Sequence, residues 1–202
     1  MLDEAGFTDT GICLSNGLNE TTIKSLIDQG ACINSFGVGD NISATKELLG
    51  GVYKLVAVEE DSKIIPKIKV SNDSIKTINP GYKKVYRFFD KITNYALGDV
   101  ITLADEVIDE NSYTLISPAE EWKRTTLTNY YVKELQIPIF LNGKLVYNIP
   151  TAEERKKYCT EQFKTLYPEI KRKDNPHEYY VDLSEKLLKL KKDMLLKARE
   201  NN

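Results

Sequence analysis

The feature that most constrains the fold of this chain is a short apolar run that breaks into alternating glycines. The residues Ala31-Cys32-Ile33 are followed by Ser35-Phe36-Gly37-Val38-Gly39-Asp40-Asn41. Two glycines separated by one residue at the end of a strand let backbone N–H groups turn together toward an anion. The same spacing also occurs in ordinary tight turns, so the pattern alone leaves a phosphate-binding loop and a structural turn as alternatives.

The residues around this loop predict one strand–helix–strand unit. Gly11-Ile12-Cys13-Leu14 is typical of a buried strand, Asn19 is a candidate helix N-cap, and a second strand follows over residues 31–36. Because the strands of such a unit run parallel, the loops that follow them lie at the same edge of the sheet. We therefore expect Ser15-Asn16-Gly17 to lie beside Gly37-Val38-Gly39.

Beyond Gly51 the helical periodicity disappears and short strand-like runs take its place. These runs cover residues 52–58, 67–70 and 84–89, with breaks at Asp61-Ser62 and Asn79-Pro80-Gly81.

Further along the chain, turn and capping signals predict one hairpin and three helices. Asn142-Gly143 indicates a hairpin turn, because both residues tolerate positive φ. Ser117-Pro118-Ala119-Glu120 predicts a helix of one or two turns, and Thr151-Ala152-Glu153-Glu154 is a capping box. Residues 184–198 predict an amphipathic helix, docked on the protein or, as the alternative, bound to a membrane surface or to calmodulin.

Composition bounds the partners of the chain. The 202 residues carry 28 basic and 30 acidic side chains, a net charge of −2, which gives no general electrostatic reason to bind nucleic acid or an anionic membrane. No apolar run approaches the roughly 18 residues of a membrane span, and Asp3 and Glu4 follow Met1 where a secretory signal would be basic and then apolar. We expect a cytoplasmic protein.

The three cysteines and the single histidine show no metal-binding pattern. Cys13, Cys32 and Cys159 lack Cys-x-x-Cys spacing, and His177 does not complete a zinc site with them. Since Cys13 and Cys32 lie in apolar runs, we expect buried, reduced thiols.

Six blocks occur together and in order. They are Leu2-Asp3-Glu4-Ala5-Gly6-Phe7, Ser15-Asn16-Gly17-Leu18-Asn19-Glu20, Phe36-Gly37-Val38-Gly39, Leu49-Gly50-Gly51-Val52-Tyr53-Lys54-Leu55, Asn79-Pro80-Gly81-Tyr82-Lys83-Lys84-Val85-Tyr86-Arg87 and Ala96-Leu97-Gly98-Asp99. Together they resemble the C-terminal part of a bacterial nicotinate phosphoribosyltransferase, from residue 1 to about residue 150 and weakly beyond. The chain departs from the family where Asp40 replaces the common threonine after Gly-Val-Gly, and it lacks about the first half of such an enzyme.

The resemblance implies an α/β fold, with part of a phosphoribosyltransferase-type β/α barrel followed by a β-rich segment and C-terminal helices. A complete barrel typically takes about 250 residues, so only its C-terminal βαβ units fit. The expected segments are 1–58 for the barrel part with its phosphate-binding loops, 59–150 for the β-rich part and 151–202 for the helices.

The resemblance also implies the chemistry. The family converts nicotinate, phosphoribosyl pyrophosphate and ATP to nicotinate mononucleotide in NAD salvage, with Mg²⁺ as cofactor. The residues that would hold the phosphate are Asn16, Gly17, Gly37, Gly39, Asp40 and Asn41. Lys54 and Lys69 would contact phosphoribosyl pyrophosphate or the nucleotide, with Lys76 and Arg87 as weaker candidates. The phosphorylated histidine, the other catalytic residues and the nicotinate-binding groups are expected outside this chain, which would bind neither Mg²⁺ nor ATP tightly.

Two hypotheses about the chain itself remain open. It is the C-terminal fragment of such an enzyme and inactive alone, or it is a non-catalytic truncated module that acts only in assembly or interaction. In either case we expect a homo-oligomer, because cutting a barrel leaves the edge of the strand at 11–14 unpaired and its apolar side chains without an opposite layer.

Overall fold

The computed structural model describes residues 1–43, 51–71 and 77–200 and divides into two compact units, Met1–Tyr53 and Lys54–Asn202. Leu49 and Gly50, the first two residues of the fourth block of the resemblance, and the candidate Lys76 lie outside the described residues.

The first unit is a short strand–helix–strand arrangement. It contains a 3₁₀ turn at Asp3–Ala5, strand β1 (Cys13–Leu14), helix α1 (Glu20–Asp28), strand β2 (Ser35–Phe36) and helix α2 (Asp40–Ser43). Strands β1 and β2 pair in parallel, with Leu14 opposite Phe36. The Asn19 side chain caps α1 by accepting a hydrogen bond from the Thr22 N–H at 2.9 Å. The predicted parallel unit is thus confirmed, although both strands are shorter than expected.

The apolar side chains of this unit remain in contact with solvent. Leu18 alone is buried among the described side chains of residues 1–42 and 51–53. Cys13, Cys32 and Cys159 are free and exposed, so the prediction of buried thiols is wrong. The apolar runs at Cys13 and Cys32 indicated burial because parallel strands are normally covered on both faces, and within this unit nothing covers them.

The second unit holds the remaining elements. Its strands are β3 (Ala57–Glu60), β4 (Lys63–Pro66), β5 (Lys83–Asp90), β6 (Ala96–Leu103), β7 (Ser112–Ile116), β8 (Arg124–Thr128), β9 (Tyr130–Glu134), β10 (Phe140–Leu141), β11 (Lys144–Leu145) and β12 (Val181–Leu183). Its helices are α3 (Ala152–Lys164) and α4 (Glu185–Glu200). Strands β3–β4 and β10–β11 form separate antiparallel pairs, and the other six form one sheet in the order β8-β7-β12-β6-β5-β9.

This six-stranded sheet is rolled. Strands β8 and β9 lie at opposite ends of the strand order, yet Asn129 alone joins them. Five inter-strand spacings would separate them by about 24 Å in a flat sheet, whereas a one-residue link reaches about 7 Å. The rings of Phe88 on β5 and Tyr113 on β7 confirm the curvature: their centroids are 5.2 Å apart although three spacings, about 14 Å when flat, separate the strands.

Two buried clusters stabilise the second unit, one on each face of the sheet. The cluster on the concave face consists of Phe88, Val100, Leu115, Leu127 and Tyr130. The other consists of Ile116, Leu183, Leu187 and Leu188, of which the last two belong to α4. Helix α4 is therefore docked on the sheet, as the amphipathic pattern predicted in its first alternative.

The turn and capping signals predicted for this unit are confirmed in part. The hairpin is confirmed, since Asn142 and Gly143 adopt φ of 49° and 75° between β10 and β11, and the capping box at Thr151 is present. The predicted helix at residues 117–120 is wrong, because this segment is the loop of the β7–β8 hairpin, closed by the Ser117 N–H donating to the Lys123 carbonyl at 3.2 Å. Residues 67–70 do not form the predicted strand. No helix among the described residues is long and apolar enough to cross a membrane.

Candidate functional site: two glycine loops

The loops that follow β1 and β2 begin side by side. Leu14 and Phe36, the last residues of the two strands, are paired in register. The Gly37 N–H continues this pairing by donating to the Leu14 carbonyl at 2.7 Å. The parallel pair thus brings Asn16 and Gly17 to the same sheet edge as Gly37, as the sequence predicts.

A side-chain amide ties the two loops together. Asn41 Nδ2 donates to the Leu18 carbonyl at 2.8 Å, with a longer contact of 3.4 Å to the Gly17 carbonyl. Asn16 and Gly17 adopt positive φ of 84° and 62°, a conformation that asparagine and glycine accept at low cost. The asparagine predicted as a phosphate ligand therefore also holds the other loop in place.

The two glycines of the second loop stand in different surroundings. A Cβ on Gly37 would approach the Ser15 Cβ to 3.2 Å, so Gly37 allows the close approach of the loops. A Cβ on Gly39 would meet nothing within 4 Å, which leaves open space at its backbone. Asp40 begins α2, and its exposed position places a negative charge at this edge.

Comparisons with known proteins connect this geometry to a family. A family model described as the nicotinate phosphoribosyltransferase C-terminal domain matches residues 82–191, more than half of the chain. The chain belongs to the nicotinate phosphoribosyltransferase family. The match lies within the second unit, whereas the glycine loops lie in the first.

Individual nicotinate phosphoribosyltransferases match nearly the whole chain. The Bacillus subtilis (strain 168) protein is 41% identical over 188 residues, which cover 92% of this chain and 38% of that protein. The Caenorhabditis elegans protein is 37% identical, covering 90% of this chain and 32% of its own length. The crystal structure of human nicotinic acid phosphoribosyltransferase superposes with a TM-score of 0.71 at 25% identity, covering 96% of this chain and 36% of that one. The chain thus spans about a third of the length of these relatives.

The cations predicted from the nicotinate phosphoribosyltransferase resemblance belong to the second unit. Lys54 and Lys69 are exposed, and Lys69 lies after β4 in a segment without regular structure.

Arg87 is engaged in an internal ion pair. Its Nε and a terminal guanidinium nitrogen donate to the two carboxylate oxygens of Asp99 at 2.8 and 2.9 Å, and Asp99 also accepts from the Tyr179 hydroxyl at 2.7 Å. The hydrogen bonds that Arg87 donates to Asp99 raise the pKa of Arg87, and burial, with the hydrogen bond to Asp99 next, raises the pKa of Tyr179. Arg87 therefore uses two of its guanidinium nitrogens to join β5 to β6.

Metal ligands are not assembled in the part of the chain that the structure describes. Among residues 1–43, 51–71 and 77–200, no three His, Cys, Asp or Glu side chains converge on a position that could hold a metal ion. Mg²⁺ sites commonly use one or two carboxylates together with substrate phosphates, so this finding concerns sites built by protein side chains alone.

The sequence patterns did not identify Lys83 and Lys191 as candidate functional residues. Lys83 and Lys191 both donate hydrogen bonds to the turn at residues 79–81. Lys83 lies in one of the family blocks, and Lys191 belongs to the polar side of α4, but no local pattern indicates that they share a turn. Their contact depends on how α4 docks.

Proposed function

We propose that this chain forms the C-terminal part of a nicotinate phosphoribosyltransferase, which makes nicotinate mononucleotide from nicotinate, phosphoribosyl pyrophosphate and ATP in NAD synthesis. The observation that carries the proposal is the pair of glycine loops, held at one sheet edge and tied by Asn41, in a chain of this family. The proposed place of action is the cytoplasm, which agrees with three free cysteines and the absence of disulfides.

In this proposal the β1–α1–β2 unit is the last part of a β/α barrel. Loops after the final strands of such barrels commonly bind phosphate at the carboxyl end of the strands. The loops at residues 15–17 and 37–41 follow the carboxyl ends of β1 and β2. The remaining barrel strands would cover the apolar side chains that this unit leaves exposed.

The role of the loops is to hold the 5′-phosphate of the substrate. Backbone N–H groups around Gly17 and Gly39 would donate to phosphate oxygens, which positions the ribose for attack by nicotinate. Because the ribosyl carbon develops positive charge in the transition state, fixed position and electrostatics contribute most of the catalysis. The chain supplies this positioning and no group that transfers a proton or forms a bond.

Asp40 is the residue that fits this role least well. A carboxylate beside a phosphate dianion raises the free energy of binding unless a cation lies between them. Asp40→Thr restores the residue common in the family, so in the complete enzyme we expect it to lower the KM for phosphoribosyl pyrophosphate. Lys54 and Lys69 are the proposed cations near the pyrophosphate, and Mg²⁺ and ATP would be held by groups outside the described residues.

The strongest test of the role of the loops uses the complete enzyme. Gly39→Val places a branched side chain at the open backbone of the loop, and we expect kcat/KM for phosphoribosyl pyrophosphate to fall tenfold or more. The loss of one hydrogen bond to a charged group costs about 1.5–3 kcal/mol. Ile27→Val on α1 is the control and should leave the kinetics unchanged. Unchanged kinetics in Gly39→Val would show that the glycine loop is only a turn.

The 202-residue chain alone should make no nicotinate mononucleotide from the three substrates. Turnover by the pure chain would contradict the proposal that the catalytic residues lie outside it. The alternative is a non-catalytic module that acts in assembly. It is favoured if the chain stays inactive and if its addition neither restores nor inhibits the activity of any form of the complete enzyme.

The same exposed surfaces support a homo-oligomer. Ile12, which is 50% exposed just before β1, and Phe7, 63% exposed, lie in a unit whose described residues pair β1 with β2 only. Since burial gains about 25 cal/mol per Å² of apolar surface, a few hundred Å² gives several kcal/mol toward association. Light scattering should show a dimer or a larger species, and a concentration-independent monomer would contradict this expectation.

A further inference from the structure

A rigid turn precedes the longest strands of the second unit. Pro80 and Gly81 are buried, and Gly81 adopts φ of +92°. The Gly81 N–H donates to the Val56 carbonyl at 2.8 Å. A Cβ on Gly81 would lie 2.7 Å from the Leu103 Cδ2, so the turn sits tightly against β6. These contacts fix the turn at residues 79–81 from both sides.

Two ammonium groups from different elements are held against this turn. Lys83, the first residue of β5, donates from Nζ to the Gly81 carbonyl at 2.6 Å. Lys191 on α4 donates from Nζ to the Asn79 side-chain oxygen at 2.8 Å. Both lysines are half-buried. The turn therefore gathers two positive charges within a span of three residues.

Neither charge has a carboxylate partner within the described part of the chain. Other lysines of this unit form ion pairs: Lys84 with Glu134 at 3.1 Å and Lys186 with Asp105 at 2.6 Å. The hydrogen bonds that these lysines donate to the carboxylates raise the pKa values of Lys84 and Lys186. Burial lowers the pKa values of Lys83 and Lys191, whose acceptors are neutral oxygens.

We propose that Lys83, Lys191 and the turn at Asn79–Gly81 form a binding site for a phosphate-bearing small molecule. Each ammonium has three N–H donors and uses one on the turn, so the others remain for the oxygens of an anion. Two cations held by one turn match the charge of a phosphate dianion better than that of a single carboxylate. A bound anion would supply the negative charge that the described residues do not place beside these two lysines.

This site does not include the residues of the glycine loops. It lies in the second unit and is built from residues that the proposed transfer reaction does not use. A phosphorylated ligand held between β5 and α4 would tie the C-terminal helix to the sheet. The inference therefore stands whether or not the glycine loops bind substrate.

The test is a titration of the full chain with inorganic phosphate and with pyrophosphate, followed by calorimetry and by NMR of the lysine Cε–Hε groups. We expect the pKa values of Lys83 and Lys191 to rise on binding. Lys83→Met and Lys191→Met should each weaken binding at least tenfold. Lys189→Met is the matched control, because Lys189 is exposed on α4 two residues before Lys191, and it should bind as the parent does.

Further variants separate binding from folding and from the other loops. Lys83→Arg and Lys191→Arg keep the charge and should retain binding within about threefold if the site recognises charge at the turn. Gly39→Val, which alters the other proposed phosphate loop, should leave the phosphate-induced shifts of the Lys83 and Lys191 Cε–Hε resonances unchanged. Absence of binding at millimolar phosphate and pyrophosphate would overturn the proposal, because it excludes a site. An equal loss of binding in Lys189→Met would also overturn it, because it indicates general charge attraction.

Discussion

The two units of this chain differ in how they bury their apolar residues. The second unit has a cluster on each face of its sheet, whereas residues 1–42 and 51–53 bury Leu18 alone among their described side chains. The contrast follows from topology. A rolled antiparallel sheet encloses its own core, while a two-stranded parallel pair needs layers on both faces that the unit does not contain.

This difference indicates which part of the chain contributes most to its free energy of unfolding. The second unit should fold on its own contacts, and the first should depend on further polypeptide or on association. Substitutions of the same chemical type in the two units should therefore have unequal effects.

The largest contrast should come from two phenylalanines. Phe88 is fully buried and contacts the rings of Tyr113 and Tyr130, whereas Phe7 is 63% exposed. Phe88→Ala should lower the free energy of unfolding by about 3–5 kcal/mol, and Phe7→Ala by less than about 0.5 kcal/mol. Urea denaturation followed by circular dichroism measures both. A comparable loss in Phe7→Ala would show that the first unit has a core after all.

The next largest effect on the free energy of unfolding should come from two charged residues of β5. Arg87→Gln leaves the buried Asp99 without its cation, and we expect a loss of about 3 kcal/mol in the free energy of unfolding. Lys84→Gln is the control, because its pair with Glu134 is partly exposed to solvent, and we expect a loss of less than about 1 kcal/mol. Equal midpoints for the two variants would contradict a structural role for Arg87.

Two glycines give a smaller contrast between the units. Gly81→Ala forces a side chain into a positive φ and against Leu103, which should cost about 2 kcal/mol. Gly39→Ala meets open space and should change the free energy of unfolding by less than about 0.5 kcal/mol. Thermal unfolding of the two variants decides the comparison, and a destabilised Gly39→Ala would mean that the loop is strained.

The smallest effect should depend on pH. Asp182 is 6% exposed, and burial, with Glu178 next, raises the pKa of its carboxyl group. The charged form therefore opposes folding, and this penalty grows as the pH rises above the unfolded pKa and is complete above the raised one. Asp182→Asn should raise the urea midpoint at pH 7, and the gain should vanish as the pH falls toward about 4, the unfolded value.

Asp105→Asn is the control of opposite sign. The hydrogen bond from Lys186 lowers the pKa of Asp105, so its charge supports folding at neutral pH. Because the Asp105–Lys186 pair is exposed, this variant should change the midpoint at pH 7 in the opposite direction and by less than Asp182→Asn does, with a difference that also disappears in acid. A gain for Asp182→Asn that does not depend on pH would show that packing, not charge, is responsible.

Short-range signals in the sequence predicted the features that short-range physics determines. Asn142-Gly143 defined its hairpin because both residues adopt positive φ, and Thr151 with Glu154 defined the start of α3. The parallel pairing of β1 and β2, and with it the meeting of the two glycine loops, followed from the strand–helix–strand order. The helix predicted from Ser117 failed because the pairing of β7 with β8 determines that segment.

Long-range pairing is what the sequence did not reveal. Strand β12, near the end of the chain, inserts between β6 and β7, and this register brings Tyr179 onto Asp99. Likewise, Lys191 reaches Asn79 only because α4 docks on the sheet. The exposure of Cys13 and Cys32 depends on which layers are present, and local apolar runs carry no information about that.

The single-residue link at Asn129 has a consequence for aggregation. Because the rolled sheet turns from β8 into β9 at this residue, its two outer strands are five-residue segments that meet at a bend. Arg124 at one end and Lys133 and Glu134 at the other place charges along them. Short, bent and charged edges are poor templates for strand addition. The large sheet is thus protected against edge-to-edge growth into fibrils, and any such growth would have to begin elsewhere in the chain.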